Sequence, residues 1–275
     1  MQIAIGTYDH TKALKDGSVT SPRISFDFIE VSPITRAFRH MAAGLAYDVS
    51  EMALATYMLA RSFDKPIVGL PIVLVRSTLL PGLVTAESSP IKDPRDLAGK
   101  TLGIRSYTQT SGVWVRGILQ DAFGLDLSSL NWVTFEGAHL DEYTDPPNVS
   151  RAAADKNMQD MVQSGELVAA IGIPSGPGLR SVVPDAAQAE ADWAKTSGVR
   201  TVNHIVVVKK ELLDADPGLK QELINLFERA RGENGVSVPP IGVEPNRKAF
   251  ETLARFAHEQ GVTLKQFTME ELFPA

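Results

Sequence analysis

The sequence of 275 residues contains no cysteine. Disulfides, thiolate nucleophiles and cysteine-ligated zinc or iron–sulfur centres are therefore excluded. A surplus of positive charge is also missing, because 27 Lys and Arg stand against 33 Asp and Glu, a net charge of −6. Binding to nucleic-acid phosphates needs a concentrated surplus of Lys and Arg, so we expect no nucleic-acid partner.

Long apolar runs are missing as well. No window approaches the roughly 18 uncharged apolar residues of a membrane span, so none is predicted. The N-terminus, Met1-Gln2-Ile3-Ala4-Ile5-Gly6, is typical of a first strand and lacks the basic and apolar regions of a secretory leader. Taken as the full-length product, the chain is expected to be cytoplasmic; removal of a leader before residue 1 would make it periplasmic.

Strand-like and helical patterns alternate along the chain, which predicts an α/β protein with largely parallel sheets. The predicted strands are 2–8, 25–31, 68–76, 101–104, 131–134, 167–171 and 202–208. Amphipathic helices are predicted from Pro33, from Ser111 to Phe123, from Pro217 and from Pro245. Two β-rich crossovers predict two lobes, with residues 1–77 and 205–275 in one and residues 78–204 in the other. One doubly wound domain is the alternative.

The segment from Leu102 to Gly112 joins a strand end to a helix start through a loop rich in hydroxyl and amide groups. Free N–H groups and the positive end of the helix dipole favour an anion at such a start. The side chains that could donate to a carboxylate are Arg105, Tyr107, Thr108 and Thr110. The alternative is a Ser/Thr cap without a ligand. Ligands of open α/β sheets bind at carboxyl ends of strands, which favours the anion site.

Three further segments contain candidates for proton transfer or ligand contact. Asp9 and His10 follow the first strand, where imidazole could act as general acid or base; a solvated turn is the alternative. Glu51, in the strand-exit segment Asp48 to Met52, is expected to face the cleft, with Ser50 as a cap. His204 precedes the second crossover, where a hinge residue could touch the ligand, or it is a structural donor.

Metal-type ligands cluster only between Glu136 and Asp145, where His139, Asp141 and Glu142 could bind a divalent cation. Their spacing matches neither H-E-x-x-H nor an EF-hand, so a solvated acidic loop is favoured. The segment Gly172 to Gly178 lacks the Lys of a P-loop and the spacing of a dinucleotide fingerprint. We therefore predict no cofactor.

Several segments resemble the 4,5-dihydroxyphthalate decarboxylase family, which is related to type 2 periplasmic solute-binding proteins (NMT1/THI5-like). The resemblance covers the chain nearly end to end. Its most specific stretches are Val113-Trp114-Val115-Arg116-Gly117 and Gly242-Val243-Glu244-Pro245-Asn246-Arg247-Lys248. The other matching stretches are Tyr8 to Thr11, Asp48 to Met52 with Thr56-Tyr57, Asp96 to Lys100, Tyr107 to Gly112, Asn203 to Val207 and His258 to Gly261.

The resemblance implies a two-lobed type 2 periplasmic-binding-protein-like α/β fold with two crossover strands and a ligand held between the lobes. It also implies non-oxidative decarboxylation of a hydroxylated aromatic (di)carboxylic acid without an organic cofactor. The residues expected to handle protons would be Asp9, His10 and His204. The residues expected to bind the acid would be Glu51, Arg76, Arg105, Tyr107, Thr108, Thr110, Ser111 and Arg116.

One segment departs from the family pattern. After the first crossover the decarboxylases are expected to carry R-x-F-R-H, whereas this chain has Arg76-Ser77-Thr78-Leu79-Leu80-Pro81-Gly82. The alternative function is therefore a solute-binding protein that delivers a small organic anion to a transporter without catalysis. A metal-dependent lyase is a third hypothesis. In each case the expected ligand is a small anionic carboxylate, and under the first hypothesis it is aromatic. A second copy of the chain is a further candidate partner.

Overall fold

The computed structural model describes residues 1–232 and 238–274. The chain divides into two compact units. Unit 1 comprises Met1–Arg76, Val202–Ala254 and Lys265–Ala275, and unit 2 comprises Ser77–Thr201 and Arg255–Leu264. The lobe boundaries predicted from the sequence were 77/78 and 204/205, and the segment 255–264, predicted in the first lobe, falls in unit 2. No helix of the described ranges is long and apolar enough to cross a membrane.

Unit 1 is built on a mixed five-stranded sheet. Its strands are β1 (Gln2–Ala4), β2 (Asp27–Phe28), β3 (Val49–Ala53), β4 (Ile67–Val75) and β11 (His204–Lys209). They lie in the order β2-β1-β3-β11-β4. Strand β1 pairs in parallel with β2 and β3, whereas β11 runs antiparallel to both β3 and β4.

The helices of unit 1 cover this sheet. They are α1 (Lys12–Lys15), α2 (Thr35–Gly44), α3 (Leu54–Ser62), α7 (Lys210–Ala215), α8 (Leu219–Arg231), the first part of α9 (Arg247–Glu259) and α10 (Met269–Leu272). The predicted apolar face of α8 is confirmed, because Leu219, Leu223, Leu226 and Phe227 pack in one core with the sheet. A 3.6-residue period places these side chains on one face of the helix.

The segment from Val49 to Ala53 corrects one sequence interpretation. It is strand β3 rather than a strand exit, and all five residues are buried. Apolar and polar residues do not alternate along β3 because side chains on both of its faces are buried. The Ser50 hydroxyl donates to the Glu51 carbonyl at 2.8 Å, so Ser50 is not a helix cap.

Unit 2 contains a six-stranded sheet in the order β10-β5-β9-β6-β7-β8. Its elements are β5 (Leu83–Ala86), β6 (Thr101–Ile104), α4 (Thr110–Phe123), β7 (Asn131–Thr134), β8 (Val149–Arg151), α5 (Met158–Gln163), β9 (Ala169–Ile171), β10 (Leu179–Ser181) and α6 (Ala186–Ser197). The predicted strands 101–104 and 131–134 are confirmed to the residue. Strand β6 pairs in parallel with β7 and β9, and β7 pairs in parallel with β8.

Helix α4 approaches the last part of α9 closely within unit 2. A Cβ atom on Gly117 would lie 2.1 Å from the Phe256 ring, a distance that real Cβ contacts do not reach. The Trp114 ring packs edge-on against Phe256 at 5.8 Å between centroids. The glycine therefore sets how near the two helices can pack.

We predict that Gly117→Ala lowers the free energy of unfolding by about 1–3 kcal/mol, because overpacking outweighs the better helix propensity of alanine. Gly44→Ala is the matched control, since a Cβ at the end of α2 would meet nothing within 4 Å. Urea unfolding followed by circular dichroism measures both variants. Equal stability of the two variants would contradict the packing argument.

Candidate functional site

The candidate site of unit 1 is built around the carboxylate of Glu51, which is 0% exposed. The Tyr8 hydroxyl donates to Glu51 Oε1 at 2.7 Å, and His204 Nδ1 lies 2.6 Å from the same oxygen. The backbone N–H of Gly6 donates to Oε2 at 2.8 Å. A buried carboxylate is tolerated when its oxygens are hydrogen-bonded, and three groups meet this need here.

Sheet pairing brings these groups together. Strand β1 lies parallel to β3 with Ala4 opposite Ser50, so the chain after β1 passes the Glu51 side chain. Strand β11 lies antiparallel to β3 on its other side, with His204 opposite Ala53. The His204 ring also packs against Phe38 of α2 in a T-shaped arrangement, 4.9 Å between centroids at 79°.

Gly6 leaves room for the Tyr8 ring to fold back over the chain. A Cβ on Gly6 would lie 2.5 Å from the Tyr8 ring. Burial, followed by the negative charge of Glu51, raises the pKa of Tyr8 well above its ordinary value. Tyr8 therefore remains a protonated hydrogen-bond donor across the physiological pH range.

His204 has the geometry of an oriented acid–base group. Its Nδ1 is engaged by Glu51, and the side chain keeps 18% of its exposure. A carboxylate on one ring nitrogen fixes the orientation and tautomer of an imidazole and leaves the other nitrogen for a partner. From the sequence, Glu51 is expected as a ligand contact and His204 as a separate proton-transfer residue. In the structure the two side chains are in direct contact.

The other two predicted proton-transfer residues lie differently. Asp9 is exposed. The His10 ring stacks on Tyr8 at 5.3 Å with 9° between planes. Burial lowers the pKa of His10 below its ordinary value, against the opposing effects of the Leu74 backbone, Glu51 and Asp9. His10 is thus part of the aromatic packing beside the Glu51 network.

In unit 2, most side chains of the predicted anion-binding loop, Arg105 to Ser111, are buried or partly buried. Tyr107 is buried, and its hydroxyl donates to the Gln260 carbonyl at 3.1 Å. Thr108 and Thr110 are buried too, and the Thr108 hydroxyl lies 3.3 Å from that of Ser106. Ser111 is partly exposed and accepts a hydrogen bond from the Gln109 amide at 2.5 Å. The N-cap of α4 is Gln109, whose side chain does not cap the helix, so neither Thr110 nor Ser111 is the predicted cap.

Arg116 is an internal residue, with 0% exposure. Its Nε donates to Gln260 Oε1 at 2.7 Å and its Nη2 to the Tyr107 carbonyl at 2.8 Å. The guanidinium lies 4.1 Å from the centroid of Tyr107 and 5.3 Å from that of Trp132, distances at which cation–π attraction operates. Burial lowers the pKa of Arg116. In this structure Arg116 holds the loop of Tyr107 in place; its expected contact with a ligand stays a prediction.

The other two arginines that were predicted to bind an anion, Arg76 and Arg105, contact side chains of the protein itself. Arg105 pairs with Glu136 at 2.6 Å, and both side chains are partly exposed, at 38% and 54%. The Nη2 of Arg76 donates to the Asn246 side chain. Asn246 in turn donates to the carbonyls of Pro240 and Gly242, each at 2.8 Å, and so holds the loop before α9. Anion binding by Arg76 and Arg105 stays a prediction.

The acidic loop from Glu136 to Asp145 shows no metal geometry. Within residues 1–232 and 238–274, no three His, Asp or Glu side chains lie close enough together to hold a metal ion. His139 is partly buried, and Asp141 and Glu142 are exposed. The metal-dependent lyase therefore has no support from the geometry of the described residues.

Sequence comparisons define the family. The model described as NMT1/THI5 like matches residues 42–230, more than half of the chain, so the chain belongs to the NMT1/THI5-like family. It is 25% identical over 252 residues to a protein from Comamonas testosteroni named 4,5-dihydroxyphthalate decarboxylase, covering 84% of this chain and 74% of that one. A protein of the same name from Pseudomonas putida is 30% identical over 188 residues, covering 64% and 71%.

Solved structures share the fold. The periplasmic aliphatic sulphonate binding protein SsuA from Escherichia coli superposes with a TM-score of 0.55 at 14% identity, covering 95% of this chain and 78% of that one. The desulfurization enzyme DSZB gives a TM-score of 0.51 at 15% identity, covering 100% and 96%. The expected two-lobed, periplasmic-binding-protein-like α/β fold is confirmed.

We predict that Glu51→Gln lowers the free energy of unfolding by about 1–3 kcal/mol, because the amide replaces one acceptor oxygen by a donor and leaves buried groups unpaired. Glu136→Gln is the control, since the pair of Glu136 with Arg105 is partly exposed and contributes about 0–1 kcal/mol. Chemical denaturation monitored by circular dichroism compares the two. A loss for Glu51→Gln no larger than for the control would contradict the proposed network.

Proposed function

We propose that the chain is a carboxy-lyase that removes CO2 from a hydroxylated aromatic carboxylic acid. In this proposal His204 donates the proton and Glu51 is its positioning residue. The observation that carries the proposal is the 2.6 Å contact between His204 Nδ1 and a fully buried carboxylate. The two relatives named 4,5-dihydroxyphthalate decarboxylase support the substrate class.

The reaction class needs a proton donor and no oxidant. Decarboxylation without oxidation replaces CO2 by hydrogen on one ring carbon, so it consumes one proton. A hydroxyl group para to the carboxylate, more so as its phenolate, pushes electron density onto the carboxylated carbon, and that carbon takes the proton. The carbon–carbon bond then breaks, its electron pair returns to the ring, and CO2 leaves. A well-placed general acid contributes about 10²–10⁴-fold to such a step.

The Glu51 network suits His204 to that task. An imidazolium whose Nδ1–H donates to Glu51 Oε1 can deliver its Nε2 proton and remain in the same orientation. Tyr8 donates to the same oxygen at 2.7 Å and Gly6 N–H to the other at 2.8 Å, so the carboxylate itself is held. Positioning of this kind is part of the catalytic effect, since a misplaced acid must be reoriented in each turnover.

The experiment measures CO2 release from ring-carboxylates labelled with ¹³C, using 4,5-dihydroxyphthalate and para-hydroxybenzoate as probes. We expect CO2 and the protonated aromatic product in equal amounts. His204→Gln should reduce kcat by about 10²-fold or more, because it removes the acid. His40→Gln is the matched control, since His40 is exposed on α2. Equal turnover by the two variants would refute the role of His204.

A solute-binding protein without catalysis is the second candidate function. It is favoured by the fold shared with the sulphonate binding protein SsuA, at a TM-score of 0.55. Thermal-shift measurements with the same acids and with alkanesulfonates separate the two. Stabilisation by an anion without CO2 release from any hydroxylated aromatic acid would replace the carboxy-lyase by the binder.

A further inference from the structure

A small cavity lies in unit 1 between the end of the first βα connection and helix α8. It offers about 10 Å³ to the centre of a water-sized sphere. Its polar lining comes from His10 and Arg231, and the apolar lining includes Ile72, Leu74, Phe227 and Ile241. A cavity must hold a volume of about 10–15 Å³ filled by such a sphere to admit a water, and a space in which the centre of the sphere can itself move meets that need.

Two residues of this lining each carry a nitrogen without a partner. His10 Nε2 and Arg231 Nε are both buried, and neither has a hydrogen-bond partner among the described residues. Elsewhere on the Arg231 guanidinium, Nη2 donates to the Val238 carbonyl at 3.1 Å. The His10 ring is held by stacking on Tyr8. A buried polar atom without a partner destabilises the fold by about 1–3 kcal/mol. Two such atoms on residues of one cavity therefore indicate a bound molecule that both of them contact.

The donor and acceptor character of Arg231 Nε and His10 Nε2 determines which molecule can bind between them. Arg231 Nε carries a hydrogen and can only donate. Burial, together with the charge of Arg231, lowers the pKa of His10 against the opposing effects of the Leu74 backbone, Glu51 and Asp9. Neutral His10 with its proton on Nδ1 presents Nε2 as an acceptor. The bound molecule must then accept from Arg231 and donate to His10, which a water molecule does and a halide ion cannot.

We propose that this cavity is a binding site for one water molecule, which accepts a hydrogen bond from Arg231 Nε and donates one to His10 Nε2. The bridge joins the segment after β1 to the end of α8. It fixes His10 as the Nδ1–H tautomer and gives Nε2 a partner, so His10 has a structural role beside Tyr8. This inference is independent of the proposed function.

The first test is a crystal structure of the full chain at pH 8, at a resolution that shows ordered solvent. We expect a density peak within about 2.7–3.2 Å of both nitrogens. Proton–nitrogen correlation spectra of the histidine side chains at the same pH should show His10 protonated on Nδ1 only. An empty cavity, a protein group bonded to either nitrogen there, or His10 protonated on Nε2 would overturn the proposal.

Matched variants test the same bridge. His10→Gln keeps a carboxamide near the position of Nε2, whereas His10→Asn keeps one only near Nδ1. The peak should persist in His10→Gln and be lost in His10→Asn, and it should also be lost in Arg231→Met, which removes the donor. Persistence of an unshifted peak in Arg231→Met would overturn the bridge. Crystals grown in bromide should give no anomalous peak in the cavity, and a peak would assign the site to an anion instead of water.

Discussion

The buried carboxylate of Glu51 is the constraint on which unit 1 depends. Removing a carboxylate from water costs several kcal/mol unless its oxygens are bonded. The three groups that bond it lie 43, 45 and 153 residues away in sequence. They reach Glu51 only when β1 and β11 have both paired with β3. The same interaction therefore stabilises the central strands and assembles the candidate site.

This arrangement bears on the choice between the two functions. The periplasmic-binding-protein-like fold is shared by binders and enzymes, as the sulphonate binding protein SsuA and the desulfurization enzyme DSZB illustrate. A fold alone does not specify chemistry. What a catalyst needs beyond a binder is a proton-transfer group held in one orientation, and the pairing of His204 with Glu51 has that form.

Unit 2 also buries a charged side chain, in this case the positive guanidinium of Arg116. Arg116 is fully buried, and the groups that accept its hydrogen bonds or stack on it are neutral: an amide oxygen, a carbonyl oxygen and the faces of Tyr107 and Trp132. Aromatic faces and oriented dipoles compensate a guanidinium better than an ammonium, because its charge is delocalised and weakly hydrated. The sequence segment around Arg116 that resembles the decarboxylases thus has a structural role in this chain, whichever function is correct.

The sequence by itself determined the α/β class, the family, the strands 101–104 and 131–134 and the apolar face of α8, because these follow from local periodicity and contiguous motifs. It singled out Glu51, His10 and His204, since polar side chains next to strands are conspicuous. Three features were missed: that residues 49–53 form strand β3, that Tyr8 and His204 contact the same Glu51 oxygen, and that Gln260 is the partner of Arg116. Only the tertiary structure decided these, because burial and hydrogen-bond partners depend on which distant segments pair, and one-dimensional patterns do not record that pairing.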